Sequence, residues 1–580
     1  MITETAVPRQ TAKQRPALPA VSRAQRLREP VLVVLTGLLV TLAFYWRIVI
    51  DLRSTVLFDL GDPLLQAWEL AWARHFLFNG GDFWTGNIFA GAENNFAFTD
   101  SLLGYLPFSL VGGTGASDSI LRYNLVFIFA ATLAFVGGYM LVRQLGGTWH
   151  AAALGAVVFA WAPWRLAHVH HLNLLSTGGI ALALFALARG HGFSLRHGFR
   201  PELARPGWAL AGWLIAAWQI TIGFATGLPF LYVLGVIGVV LLVTMLRRRA
   251  QISKRLWIAD SAGVVVFLTI TLLMVQPYLT AVKLYQFKRT LDELKTYSPP
   301  PQGFITTSHF SWLWSDTGFT AWTWDMEPAP WEKWIFPGLV LLVFAAIGLA
   351  FSAWPRKVRV VLGIAVVVSG ILALGTSFFH GTFSYLLLWK FMPGWDALRT
   401  PGRLILWTTL FLMLLAAGAV TRMAQSLGRK YKQRIVGLIM ILPALGALTE
   451  AVPVFPYAHP PAMPAGLEQE FANPGGPVVV LPMDLTGDSI PMLWSTKDFP
   501  VLANGNTGNY PKVWTELTTA TKAFPSVRSV AALKHYGIHK VIVVKPMLEG
   551  TPYTRSLTRP IADLPLTRTD TGDIAVFTLR

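Results

Sequence analysis

The chain of 580 residues contains no cysteine. Disulfides, thiolate nucleophiles and cysteine-ligated metals are therefore excluded. Charge is scarce too: Asp, Glu, Lys and Arg make up 13% of the residues, about half the share usual in soluble domains. Acids are the rarer sign, 30 against 48 Lys and Arg, which leaves a formal net charge of +18. What fills the chain instead is apolar. Hydrophobic residues make up 53%, and they recur in runs of about 20, each long enough to cross a bilayer as a helix. The composition defines a polytopic α-helical membrane protein. Residues 1–30 are polar, basic and proline-rich, and no small-residue cleavage site follows the first apolar run, so no cleavable signal is expected.

Eleven spans are expected, near 31–50, 121–142, 149–163, 172–189, 207–222, 226–246, 257–280, 334–354, 358–377, 403–421 and 435–452. With the N-terminus inside, half of all Lys and Arg fall in cytoplasmic pieces, as in the cluster Arg247, Arg248, Arg249, Lys254 and Arg255. The positive-inside rule accounts for that bias without invoking nucleic acid, and it rejects the opposite orientation. Residues 1–30 then form a basic cytoplasmic arm lying on anionic lipid. Residues 31–452 form the transmembrane region, with an outer loop over 51–120. An odd number of crossings leaves 453–580 outside.

The outer loop reverses the charge of the chain. Between residues 51 and 100 stand Asp51, Asp59, Asp62, Glu69, Asp82, Glu93 and Asp100 against only Arg53 and Arg74. Asp59 and Asp62, three residues apart at a membrane surface, have the chemistry to take a proton from an incoming hydroxyl. The same Asp62, before Pro63, also fits a plain helix N-cap. An amphipathic helix along the interface is expected from there to about residue 78. The apolar stretch 102–113, broken by Pro107 and two glycines, reads as an interfacial or re-entrant segment.

Other polar residues gather on the same side. His168, His170, His171 and Asn173 follow the third span; a zinc site is one reading, but no carboxylate stands at ligand spacing beside them. Polar contact with a ligand, or interfacial packing, is the other reading. The loop between spans seven and eight carries Lys288 and Arg289, then Trp312, Trp314, Trp322, Trp324, Trp331 and Trp334. These aromatics suit an interface belt or a platform stacking on sugar rings. Arg399 and Arg403 stand where positive-inside statistics least favour them, so phosphate binding competes with snorkelling or pairing to an outer acid. Beyond a proline-rich linker from Pro453, β-rich runs at 477–481, 540–544 and 574–579 alternate with helix-like stretches near 511–523 and 527–536. A small extracytoplasmic α/β domain is expected, with Asn504 opening a polar loop through Tyr510 that is either a sugar contact or a turn.

This order of parts resembles the GT-C superfamily of integral-membrane glycosyltransferases. The run Asp59-Leu60-Gly61-Asp62-Pro63 is similar to their Asp-centred first-loop motif. The runs Gly61-Asp62-Pro63-Leu64-Leu65 and Leu398-Arg399-Thr400-Pro401-Gly402-Arg403, and the 477–481 strand followed by Asn504-Gly505, resemble an uncharacterised bacterial branch. Pro63 stands where many members carry a second acid, which leaves the base open between Asp59 and Asp62. The resemblance implies an inverting transferase in a bacterial inner membrane, with an extracytoplasmic site and no cofactor, a divalent metal being unsupported. A polyprenyl-phosphate-linked sugar would be the donor and a glycan, glycolipid or protein the acceptor. Asp62 is the expected base with Asp59 its partner; Arg399, Arg403, Lys288 and Arg289 are expected phosphate contacts; Glu69, His168, His171, Asn173 and Asn504 are expected substrate contacts. A lipid or glycolipid transporter or flippase, or a non-catalytic envelope-assembly protein, is the alternative.

Overall fold

The computed structural model describes residues 23–315, 317, 326–485 and 487–580. Helices lie on all eleven stretches expected to span, as backbone that must satisfy its own hydrogen bonds in lipid requires. Seven helices among the described residues are long and apolar enough to cross a membrane by length and composition. The others are shorter or more charged, among them Trp149–Trp161, Pro206–Ile220 and Leu339–Ala350. At the centre stands Ile405–Leu427, flanked by Trp149–Trp161, Leu339–Ala350 and Arg356–Ala373. By contrast Phe224–Arg247 and Lys254–Tyr285 turn Val236, Val239, Val240, Leu272 and Leu273 outward, the apolar exposure of a lipid-facing surface. Most of the basic arm, residues 1–22, lies outside the described residues, as do Trp322 and Trp324.

The first loop differs from expectation in its helix. Asp62–Asn79 does not lie open along an interface: Leu64 to Ala73 are buried all round. The helix packs between Ala116–Gln144, the short 3-10 segment Leu103–Leu110, and Ser489–Trp494 of the C-terminal region. Sequence periodicity reports which face is apolar, but not that the C-terminal region covers the opposite one. Gly80 ends the helix at φ 71°, with its N–H on Phe76 O, the left-handed closure that glycine favours. The loop is also stitched to the linker: Val56 and Leu57 pair antiparallel with Ala458 and Tyr457.

The C-terminal domain is built on a four-stranded sheet in the order β1 (Val478–Leu481), β2 (Lys540–Val544), β4 (Ile574–Leu579), β3 (Leu566–Thr571). The β1–β2 pair is parallel and the others antiparallel. Three of the strands were legible as apolar runs; β3, Leu-Thr-Arg-Thr-Asp-Thr, is a polar edge with no such signal. Helices Lys512–Thr521 and Val527–His535 fall where expected, the second with Ser526 closing a capping box.

Candidate active site

Between the bundle and the C-terminal domain lies a cavity of about 790 Å³. Its walls bring together Asp59, Asp62, Arg289, Arg399 and Arg403, residues up to 344 positions apart (59 to 403). Asp62 sits in the first turn of its helix. Gly61, not Asp62, occupies the N-cap position, and Asp62 is not the carboxylate that bonds the loop backbone. Asp59 has that role instead, its Oδ1 accepting the Gly61 N–H at 2.9 Å. Just before it, Phe58 is held at φ 73°, a conformation costing about 1–3 kcal/mol for such a residue. It is secured by its N–H on Pro456 O at 3.0 Å and by stacking on His170 at 4.6 Å. The strain lies next to the acidic pair, where precise aim has most value.

The histidine turn forms the wall facing Asp62. His171 Nε2 is 3.2 Å from Asp62 Oδ2, and its Nδ1 is 3.1 Å from His168 Nδ1. Gln66, one turn along from Asp62, anchors the wall by accepting the Leu172 N–H at 3.2 Å. Asn173 donates Nδ2 to Asp100 Oδ2 at 2.7 Å, while Asp100 Oδ1 takes the Phe224 N–H at 2.7 Å. The third wall is cationic. Arg403 grips both oxygens of Glu332, with Nε at 3.1 Å. Arg399 and Arg289 share Glu293, at 3.3 and 3.5 Å, so two guanidiniums face one carboxylate and positive charge is in surplus at that corner.

Burial sets the protonation of these groups. The Asp62 side chain is 37% exposed, but to the cavity. Enclosure raises its carboxyl to about 6; the charge of Asp59 adds to that, and Arg403 opposes it. A carboxyl at that value is a far better base near neutrality than a free aspartate. Enclosure likewise raises Asp59 and Asp100. Glu332 goes the other way: burial opposes its charge, yet the Arg403 guanidinium holds it at about 2. Burial lowers His168 to about 4 and His170 to about 3, so the imidazoles are neutral.

Several expected contacts stand elsewhere. Lys288 is exposed and does not line the cavity; the helix ends at Tyr285 with Gln286 at φ 54°, and it is Arg289 that faces inward. Asn504 is fully buried in the C-terminal domain. Its Oδ1 takes the Val480 N–H and its Nδ2 donates to Val480 O and Asp488 Oδ1, so it clamps the sheet and leaves the lining to Asn506, Thr507, Gly508, Asn509 and Tyr510. Glu69 and His168 lie behind the lining, whereas His170, His171, Asn173 and Trp331 are on it. Glu332 escapes a sequence reading because its partner Arg403 is 71 positions away, and Glu293 because the second of its arginines, Arg399, is 106 positions away; the one local signal for Glu332 is an acid amid the tryptophans. His168, His171 and Glu332 could bring one ligand atom each within 4.8 Å of the others. Arg403 already holds Glu332, however, and the two histidines share one hydrogen bond between their Nδ1 atoms.

No protein-family model and no curated protein matches the chain. Among solved structures, it is similar to the archaeal oligosaccharyltransferase AglB from Archaeoglobus fulgidus, in complex with an inhibitory peptide and a dolichol-phosphate. That match has 12% identity and TM-score 0.45 over 90% of this chain and 70% of the other. It is also similar to ArnT from Cupriavidus metallidurans, at 16% identity over 95% of this chain and 98% of the other. The TM-score is 0.33 for the apo form and 0.35 for the form bound to undecaprenyl phosphate. With every score below one half, these likenesses carry no functional weight, and the chemistry rests on the residues of the cavity.

Proposed function

We propose that this membrane protein is a GT-C-type glycosyltransferase. In this reading it moves a sugar from a polyprenyl phosphate to an acceptor hydroxyl on the extracytoplasmic side. The observation that carries the reading is the meeting of an enclosed carboxylate, Asp62, with arginines in one cavity. Basic loops at the other end of the helices favour the outward orientation of this face. Apolar lining from Phe224, Pro229, Leu404 and Trp407 suits the first isoprene units of a lipid, and the polar 506–510 loop suits a sugar.

In the reaction, Asp62 takes the acceptor proton as the acceptor oxygen bonds to the anomeric carbon. The bond from that carbon to the phosphate oxygen breaks, and the electron pair leaves with the phosphate. Attack opposite the leaving group inverts the anomeric centre. Positioned cations stabilise the departing charge. Arg399 and Arg289 are the better placed for this, since Arg403 is engaged by Glu332 on two bonds. Asp59 assists by raising the basicity of Asp62. The test is to incubate purified protein with a panel of polyprenyl-phosphate sugars and measure which donor is consumed. Consumption lost in Asp62→Asn supports the reading; no consumption of any donor, or full activity in both Asp62→Asn and Asp59→Asn, overturns it.

A further inference from the structure

Behind Asp62 stand two imidazoles to which the transfer chemistry gives no task. A neutral imidazole has one N–H and one lone pair, so a hydrogen bond between two of them links where each proton lies. Asp62 as a carboxylate only accepts. His171 Nε2 lies 3.2 Å from its Oδ2, a contact whose charge favours the proton on Nε2 and a lone pair at Nδ1. His168 Nδ1, 3.1 Å from that lone pair, must donate. The lone pair of His168 is then at Nε2, an atom that is buried without a hydrogen-bond partner. An orphaned acceptor there is tolerable, whereas an orphaned buried N–H is rare. The partnerless Nε2 of His168 and its hydrogen bond to His171 select this pair of tautomers, and the contact with Asp62 agrees with it.

We propose that His168 is a positioning residue for Asp62: by donating from Nδ1 it locks His171 as the Nε2–H tautomer, whose N–H faces Oδ2 and leaves Oδ1 to receive the acceptor proton. The hydrogen bond at one ring nitrogen thus sets the proton at the other. No bond to substrate forms at His168, which lies 1% exposed behind the cavity wall. The inference rests on Asp62 being the base of the proposed transfer, but the tautomers can be observed without turnover.

The experiment uses full-length protein in lipid nanodiscs with ¹⁵N-labelled histidine, resonances being assigned by single substitutions. The account expects His168 protonated on Nδ1 and His171 on Nε2, with no change on adding Zn²⁺ or a chelator. His168 protonated on Nε2 overturns it, as does a Zn²⁺-induced shift of both rings, which would assign the cluster to a metal. In the transfer assay, His168→Asn keeps a donor where Nδ1 was and is expected to retain kcat. His168→Phe removes it and should lower kcat on the order of tenfold, the worth of one hydrogen bond, with KM unchanged. Equal losses in the two variants, or a change in KM alone, overturn the positioning role. If the wild-type protein consumes no donor, the transfer reading fails, and with it the positioning role, while the tautomer spectrum still decides the pairing.

Discussion

The acid limb of the pH profile tests Asp62 most sharply. The carboxyl lies at about 6 because enclosure disfavours its charge, with Asp59 and Glu332 adding to that and Arg403 and Arg399 opposing it. The groups facing it are His171 on the histidine turn and, by their reciprocal influence, Glu69, Tyr123 and Tyr510. A base works only when deprotonated. The kcat/KM for transfer should therefore be flat near pH 8 and fall as pH drops through about 6, to roughly a tenth at pH 5 and a hundredth at pH 4. Asp59→Asn removes the like charge and should move the limb to lower pH. Asp62→Asn should lose on the order of 10²–10⁴ in rate, with no limb near 6 in what remains. The assay is release of labelled sugar from a polyprenyl-phosphate donor in nanodiscs across pH 4–8. A profile flat over that range, or the same limb in Asp62→Asn, would refute the reasoning.

Three further outcomes follow from the packing. Arg403→Met leaves Glu332, whose side chain is 3% exposed, as an unpaired buried charge, and should cost about 3–5 kcal/mol. Adding Glu332→Met should recover most of that in a thermal melt. Asn504→Ala strips the Val480 N–H and C=O of their side-chain partner and Asp488 Oδ1 of one bond, at about 1–3 kcal/mol for the groups orphaned, read by denaturant unfolding, while the donor KM of the folded protein stays unchanged. Gly223→Ala would place a Cβ 2.3 Å from Asp100 Cγ. It should cost about 1–3 kcal/mol and cut transfer by displacing Asp100, whereas Gly235→Ala, with nothing within 4 Å, should be silent in both assays.

What could be read in the sequence follows from how local each determinant is. A membrane helix is written in a continuous apolar run, so all eleven stretches are helical. The acidic loop and the outer arginines could be paired in advance because each was anomalous for its place: acids in a basic chain, arginines on the unfavoured side. Glu332 carried no such anomaly by itself; its meaning comes from Arg403, 71 positions on. The choice of Arg289 over Lys288 depends on where the Lys254–Tyr285 helix breaks, and one residue of phase reverses which side chain faces in. Likewise Asn504 and Asn506 are alike in sequence, but the register of β1 assigns the first to the sheet and the second to the cavity. The enclosure of the Asp62–Asn79 helix depends on a domain some 400 residues away, packing that no local periodicity can report.

The central claim, that lipid phosphate and acceptor meet between Asp62 and the arginines, is tested most directly by a density map of the protein in nanodiscs loaded with polyprenyl phosphate. The account predicts the phosphate within hydrogen-bonding reach of Arg399 or Arg289, on the side of the cavity that Asp62 faces. A phosphate held away from this cavity, or a lipid threading a central path through the helices, would contradict it.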